Sequence, residues 1–270
     1  MIYVDDLSLF ASTKALMASI KTLFHSNFTM KDLGEMLKIL GIRVKIDPHR
    51  NFIKLSQGNY IDIIIQRFNL DGVLPVDTPV LHDIKSLEPC PDGDPTPDMP
   101  YAQAIRSLMY TILGSCPNIV FAVQQLSQHT HDFSQAHWTA VKCVIRYLKG
   151  TRDVGIVLHH LTSTPLIKIY SDTNFAGLAD SHSVGGFLCK YHSCIVAWVS
   201  KKQPRIALST TESESMALLP GAKHALWICH FLQELSLPLT VPIHIHCDNT
   251  VGNKTVWMFG RFGLCIEYIF

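Results

Sequence analysis

Leu166-Ile167-Lys168-Ile169-Tyr170-Ser171-Asp172 is a short β-rich run that stops on a carboxylate. Two more runs of the same texture follow, Val184–Tyr191 and Cys194–Ser200, separated by tight turns. Helical patterns come next at Thr210–Leu218 and Ala222–Leu235, then a strand at Ile243–Asp248 and a last helix at Asn249–Met258. Strand-strand-strand-helix-strand-helix is the order of an α/β or α+β layer. Pro220 stands between the two helical patterns and costs up to about 3 kcal/mol inside a helix.

Working outward toward the N-terminus, residues 1–10 read as strand, acidic turn and strand around Tyr3-Val4-Asp5-Asp6. Lys14–Phe28 has apolar positions at helical spacing, namely Leu16, Ile20, Leu23 and Phe24. The β-rich runs Met36–Ile46 and Asn51–Leu55 flank the turn Asp47-Pro48-His49-Arg50, and Tyr60–Phe68 is helical. Pro75 to Pro100 is turn-rich and supplies the best boundary. Beyond it lie helices at Tyr101–Leu113, Ile119–His129 and His137–Lys149. The last of these offers Trp138, Val141, Val144, Ile145 and Leu148 to a core and stops at Gly150. The expected units are 1–80, a linker at 81–100, a helical segment at 101–165, and an α/β unit at 166–270.

Composition narrows the class. Of 270 residues 47% are hydrophobic and 17% charged, which describes a globular chain and excludes one disordered throughout. No run of about 18 uncharged apolar residues occurs, so no membrane is expected as a partner. Asp5 and Asp6 occupy the place of a signal peptide's basic region. Eight scattered cysteines without a CxxC pair read as reduced intracellular thiols. Net charge is +1, and residues 101–165 carry five basic against two acidic side chains, a weak electrostatic handle for phosphates.

Three carboxylates stand out in the last unit. Asp172 and Asp248 each end a strand, and Glu214 lies in the first turns of a helix. Alternation puts Asp248 on one strand face with His244 and His246, while Ile243, Ile245 and Cys247 face a core. Carboxylates at the ends of neighbouring strands, with one from a helix over the sheet, can converge on a point, and oxygen ligands suit Mg²⁺. Two such ions about 4 Å apart clamp the attacking and leaving oxygens of a phosphodiester. The bland readings stand beside this: a strand-end Asp is commonly a turn former. Ser209-x-x-Glu212 and Thr211-x-x-Glu214 are both capping boxes, so either glutamate is open to a structural role.

In order, the chain shows Tyr3-Val4-Asp5-Asp6, Phe28-Thr29-Met30-Lys31-Asp32-Leu33-Gly34, Leu40-Gly41-Ile42, Leu55-Ser56-Gln57 with Tyr60, and Asp77-Thr78-Pro79. Ser107-Leu108-Met109-Tyr110, His137-Trp138 and Arg146-Tyr147-Leu148-Lys149-Gly150-Thr151 follow. Last come Tyr170-Ser171-Asp172, Trp198-Val199-Ser200-Lys201-Lys202-Gln203, Ala207-Leu208-Ser209-Thr210-Thr211-Glu212 and Asp248-Asn249. Each string is weak; their order over nearly the whole chain resembles the Pol polyprotein of copia-type LTR retrotransposons, from the end of reverse transcriptase through ribonuclease H.

The resemblance implies a partial reverse-transcriptase palm and thumb, a helical connection, and a ribonuclease H-like domain ending short of its last element. It implies hydrolysis of RNA in RNA–DNA hybrids with two Mg²⁺ ions held by Asp172, Glu214 and Asp248. Glu212 is the runner-up for the glutamate, and Glu267 of Cys265-Ile266-Glu267 is the nearest match to a fourth carboxylate. Asp5 and Asp6 match the palm's metal-binding pair. A polymerase site needs a further Asp from an earlier strand, so polymerisation by this chain alone is not expected. The implied partners are the hybrid and the remaining polyprotein parts (fingers and palm, integrase, protease). The implied setting is intracellular, cytoplasmic in a virus-like particle and nuclear for an active element. Departures fall at Arg106, Ser115-Cys116-Pro117-Asn118, His182-Ser183-Val184-Gly185-Gly186 and Ser215, where the family carries other residues. They motivate an alternative, a catalytically dead remnant that at most binds nucleic acid.

Overall fold

A two-residue turn, Leu40-Gly41, sets the first sheet. Both residues have positive φ (47° and 78°), the geometry that matches the twist of a tight hairpin. The hairpin joins β3 (Lys38–Ile39) to β4 (Ile42–Ile46), with Ile39 opposite Ile42. Upstream, β1 (Ile2–Tyr3) and β2 (Asp6–Leu7) form a separate antiparallel pair, Tyr3 opposite Asp6. The computed structural model describes residues 2–3, 6–49, 51–80, 84, 87, 90, 98–159, 167–178, 180–237, 243–247, 256–258 and 264–268. Residues 2–3, 6, 256–258 and 264–268 are described by backbone alone.

Between these pairs lies α1 (Lys14–Asn27), started by Thr13, whose side chain accepts from the Leu16 amide at 3.2 Å. Its apolar stripe is not buried, and Leu16 and Leu23 remain exposed. β5 (Phe52–Ser56) follows β4 antiparallel. The fourth strand of this sheet, β6 (Ile156–His159), arrives from far downstream and pairs Ile156 with Leu55.

Four helices build the first core: α2 (Gly58–Arg67), α3 (Tyr101–Gly114), α4 (Val120–Ser127) and α5 (Gln135–Gly150). The expected helix at 119–129 begins as a 3₁₀ turn, Pro117–Ile119, because proline pre-sets the first helical position without an amide to waste. Ile61, Ile64, Leu108, Ile119, Leu126, Ile145 and Leu148 are almost fully buried here. Each such side chain contributes roughly 1.5–3 kcal/mol. Tyr101 stacks on Phe133 at 4.4 Å and donates its hydroxyl to the Leu126 carbonyl at 2.8 Å, so its one polar group is satisfied inside the core. Within the expected linker, Ile84 is buried in this same core.

The second layer is a sheet ordered β11-β12-β10-β7-β8-β9. β7 (Ile167–Asn174), β8 (Val184–Tyr191) and β9 (Cys194–Lys202) form an antiparallel meander. β10 (Ile243–Cys247) runs parallel to β7, and β12 (Leu264–Tyr268) runs parallel to β10. The helix α6 (Thr210–Glu234) makes the long connection into β10 and covers one face. There Ile167, Ile169, Ile243 and Ile245 meet Ala222, Ala225 and Cys229. Small residues allow the close approach: a Cβ on Gly185 would lie 3.0 Å from the Ala217 Cβ, and one on Gly221 would lie 3.1 Å from the Ile169 side chain.

Two expectations need correction. The two helical patterns around Pro220 are one helix of 25 residues. Pro220 lies on the exposed face, where water can solvate the carbonyl left without an amide donor. The expected final helix at 249–258 ends instead in a strand, β11 (Val256–Met258), antiparallel to β12; residues 249–255 lie outside the described residues. The mixed α+β class stands. Among the described residues seven cysteines are free, and no helix is long and apolar enough to cross a membrane.

Candidate functional site

Asp172 is the sixth residue of β7. Burial alternates along the strand, with Ile167, Ile169 and Ser171 covered by α6 and Asp172 exposed on the other side. One carboxylate oxygen, Oδ1, accepts from the Thr173 amide at 2.7 Å. The next strand on this side is β10, whose His246 stands opposite Tyr170 in parallel register, the rings stacked at 4.9 Å. β10 follows the expected alternation: Ile243, Ile245 and Cys247 are buried and His244 and His246 half-buried.

Glu214 comes from the first turns of α6 and is buried. Its Oε2 accepts from the Cys247 thiol at 3.3 Å, so the carboxylate sits against the last residue of β10. Glu212 has a different job. Ser209 caps the helix by accepting from the Glu212 amide at 3.2 Å, and Glu212 Oε2 accepts from the Leu208 amide at 2.8 Å. One of the two glutamates is thereby engaged in the cap, and the other is turned toward the sheet.

A buried polar network joins these parts. Thr173 Oγ1 and Ser213 Oγ are 2.8 Å apart, which links the neighbour of Asp172 to the neighbour of Glu214. Gln203, just past β9, donates to the Ser213 carbonyl at 2.8 Å and to Thr173 Oγ1 at 3.3 Å. Sequence alone reaches Gln203 only as the last residue of Trp198-Val199-Ser200-Lys201-Lys202-Gln203, and Thr173 and Ser213 not at all. The sequence signal is a glutamine directly after two lysines at the end of a β-rich run.

The remaining expected positions are less fully placed. Asp248 directly follows Cys247, and it and Asp5 lie outside the described residues. Asp6 pairs with Tyr3 in β2, and Glu267 stands opposite His246 in β12, both by backbone register. Among the described residues no three His, Cys, Asp or Glu side chains gather closely enough to hold one metal ion. The donors at Asp172 and Glu214 are carboxylate oxygens, the chemistry that suits a hard divalent cation.

Residues 1–82 match the family described as reverse transcriptase (RNA-dependent DNA polymerase). The retrovirus-related Pol polyprotein from transposon TNT 1-94 of Nicotiana tabacum is 35% identical over 255 residues, 92% of this chain and 19% of the polyprotein. That from transposon RE2 of Arabidopsis thaliana is 32% identical over 92% of this chain and 17% of its own length. An uncharacterised mitochondrial protein of Arabidopsis thaliana is 32% identical over 84% of this chain and 92% of its own length. The chain belongs to the Pol polyproteins of copia-type retrotransposons. It spans under a fifth of the length of the two polyproteins, 19% and 17%.

Several of the copia-type strings, scattered in sequence, meet in space. The Tyr110 hydroxyl of Ser107-Leu108-Met109-Tyr110 donates to the Leu40 carbonyl of Leu40-Gly41-Ile42 at 2.5 Å. Leu40 is held with positive φ, a conformation costing of order 1–3 kcal/mol for a non-glycine residue, and this bond helps fix it. Tyr60 meets Tyr110 edge-on at 4.7 Å, and Gln57 accepts from Ser115 Oγ at 2.9 Å. The string Arg146-Tyr147-Leu148-Lys149-Gly150-Thr151 is a clamp. Arg146 Nε donates to the Leu74 carbonyl at 2.8 Å, and Lys149 Nζ donates to the carbonyls of Asp71 and, at 2.9 Å, Val73. Arg152, just beyond, binds both oxygens of Asp62 at 2.5 Å. Three of the five basic side chains between 101 and 165 are thus committed to the fold.

Proposed function

We propose that the second layer is a ribonuclease H-like domain that hydrolyses the RNA strand of RNA–DNA hybrids. Asp172, Glu214 and Asp248 are its metal-binding carboxylates, and Glu267 is the candidate fourth. The observation that carries this reading is the double tether of the start of α6. Glu214 is hydrogen-bonded to Cys247, next in sequence to Asp248, and Ser213 to Thr173, next to Asp172. One helical turn therefore reaches the C-terminal ends of two adjacent parallel strands. That is where open α/β layers place ligands.

Carboxylate oxygens fit Mg²⁺. Asp172 and Glu214 would share its binding with Asp248, and the charge that activates a water and stabilises a leaving oxygen is what two such ions would supply there. The chain's own part is to hold the carboxylates at fixed positions before the substrate arrives, so that no reorganisation is needed in the transition state. Of the two described carboxylates Asp172 is exposed and open to a hybrid, and Glu214 is buried against Cys247 at the end of β10. On the same reading residues 1–80 belong to the palm and thumb, with Asp5 and Asp6 at its metal site. Residues 81–100 form the linker, 101–165 the connection, and 166–270 the nuclease unit. The partners are the hybrid and the rest of the polyprotein, in the cytoplasm or nucleus.

The test is cleavage of a labelled hybrid by the full chain with Mg²⁺. Asp172→Asn should reduce the rate by on the order of 10²–10³-fold, the scale for losing one electrostatic stabiliser. Cleavage that persists unchanged in that variant would sink the assignment. Hybrid binding that falls steeply with salt, with no cleavage by the wild-type chain, would instead identify a remnant that only binds.

A further inference from the structure

We propose that Gln203 is a positioning residue that fixes the spacing between the Asp172 and Glu214 carboxylates; this rests on the ribonuclease H-like reading of the site. Gln203 touches neither carboxylate. It is 5% exposed, and its amide nitrogen uses both protons, one on the Ser213 carbonyl at 2.8 Å and one on Thr173 Oγ1 at 3.3 Å. Its side-chain oxygen accepts from Ser213 Oγ at 3.3 Å. Ser213 Oγ in turn accepts the one Thr173 hydroxyl proton at 2.8 Å, and the Gln203 backbone amide donates to the Ser183 carbonyl at 2.8 Å. Gln203, just past β9, thereby links the end of β7 to the first turn of α6 through its side chain and the residue before β8 through its backbone amide.

The seat for this amide exists because position 185 has no side chain. A Cβ there would lie 3.1 Å from the Gln203 amide nitrogen. The anchored atoms belong to the residue after Asp172 and the residue before Glu214. A shift of the amide therefore moves both carboxylates relative to one another, whereas a shift of an ordinary core residue moves neither. An apolar side chain of similar volume would fill the space, so a filler role and a positioning role make different predictions.

The experiment compares the full wild-type chain with Gln203→Met and Gln203→Glu. Backbone hydrogen exchange is read without metal or substrate over residues 171–175 and 211–216, and hybrid cleavage is then titrated with Mg²⁺. Gln203→Met keeps the volume and loses all three side-chain bonds. It should speed exchange about tenfold in both segments together and leave the α2–α5 core unchanged. It should also raise the Mg²⁺ concentration for half-maximal cleavage about tenfold, with a smaller loss in the plateau rate, the signature of a supporting residue. Gln203→Glu keeps an acceptor for Ser213 Oγ and loses both donated bonds, so it should behave like Gln203→Met. Unchanged exchange in the two segments, a rise spread over the whole chain, or an unaltered Mg²⁺ requirement would each overturn the proposal. Because exchange needs neither metal nor hybrid, a wild-type chain that cleaves nothing removes the nuclease reading alone. The exchange result still decides whether Gln203 couples the two segments.

Discussion

Beneath α3 and α5 most buried side chains are aliphatic and aromatic, the buried polar ones (Gln57, Ser107, Thr111, Ser115, Gln125 and His137) include no carboxylate, and Lys149 and Arg146 bond loop carbonyls at the margin. Beneath the first turns of α6 the buried side chains are Ser213, Glu214 and Gln203, bonded to one another or to the strand ends. Farther along α6 the packing is apolar again, with Ala225, Cys229 and Leu232 on the sheet. Among the described residues the buried carboxylate, Glu214, lies where the parallel strands β7 and β10 end. Burying a carboxylate and an amide is seldom the most stable way to fill a volume. The first region is packed for stability, and the second holds a buried carboxylate and its polar neighbours in place at a cost in stability.

The contrast is open to attack through stability. Leu108 is fully buried in the first core, so Leu108→Ala should lower the unfolding free energy by about 2–5 kcal/mol in urea titrations of the full chain. A loss under 1 kcal/mol would remove the distinction between the regions.

The next effect is smaller and depends on pH. His137 is buried at the start of α5, against His129, and accepts from the Ser134 amide at 3.1 Å in a capping box. Burial first, and the neighbouring His129 second, push its pKa down to about 4, although Asp132 pulls the other way. The folded state therefore resists a proton that the unfolded chain accepts from about pH 6.5 downward. Stability from this group is whole above that pH and drains as pH falls toward 4. His137→Gln keeps an acceptor for the cap and cannot titrate; thermal unfolding followed from pH 7.5 to 4.5 should be flatter for it than for the wild type.

Least of all in stability, Glu214→Met should leave unfolding unchanged or slightly favour the fold, while hybrid cleavage disappears. A strongly destabilised Glu214→Met would make the carboxylate a structural group and return the site to the bland reading.

Much of the scaffold was legible. The helix at Lys14–Asn27, the strands β7 to β10 and the positions of Asp172 and Glu214 follow from local period and end signals. What escaped was long-range. β6 is four residues long and finds its partner a hundred residues back, so no local pattern marks it. Pro220 was judged by propensity, which does not know which face of a helix meets water. The bonds among Thr173, Ser213 and Gln203 and the grip of Tyr110 on Leu40 join side chains with no periodic relation. The apolar stripe of α1 marks the helix and leaves its exposure unread, because period reports a face and not what covers it.

The late arrival of β6 sets a clock on synthesis. Phe52–Ser56 leaves the ribosome about 100 residues before Ile156–His159, which at 5–20 residues per second is roughly 5–20 s. Throughout that interval one edge of β5 offers unpaired amides and carbonyls to any other strand nearby. A nascent chain crowded beside its siblings on one message is thus most vulnerable to mispairing before residue 156 emerges. Codon speed and chaperone supply over residues 57–155 then govern how much of it folds.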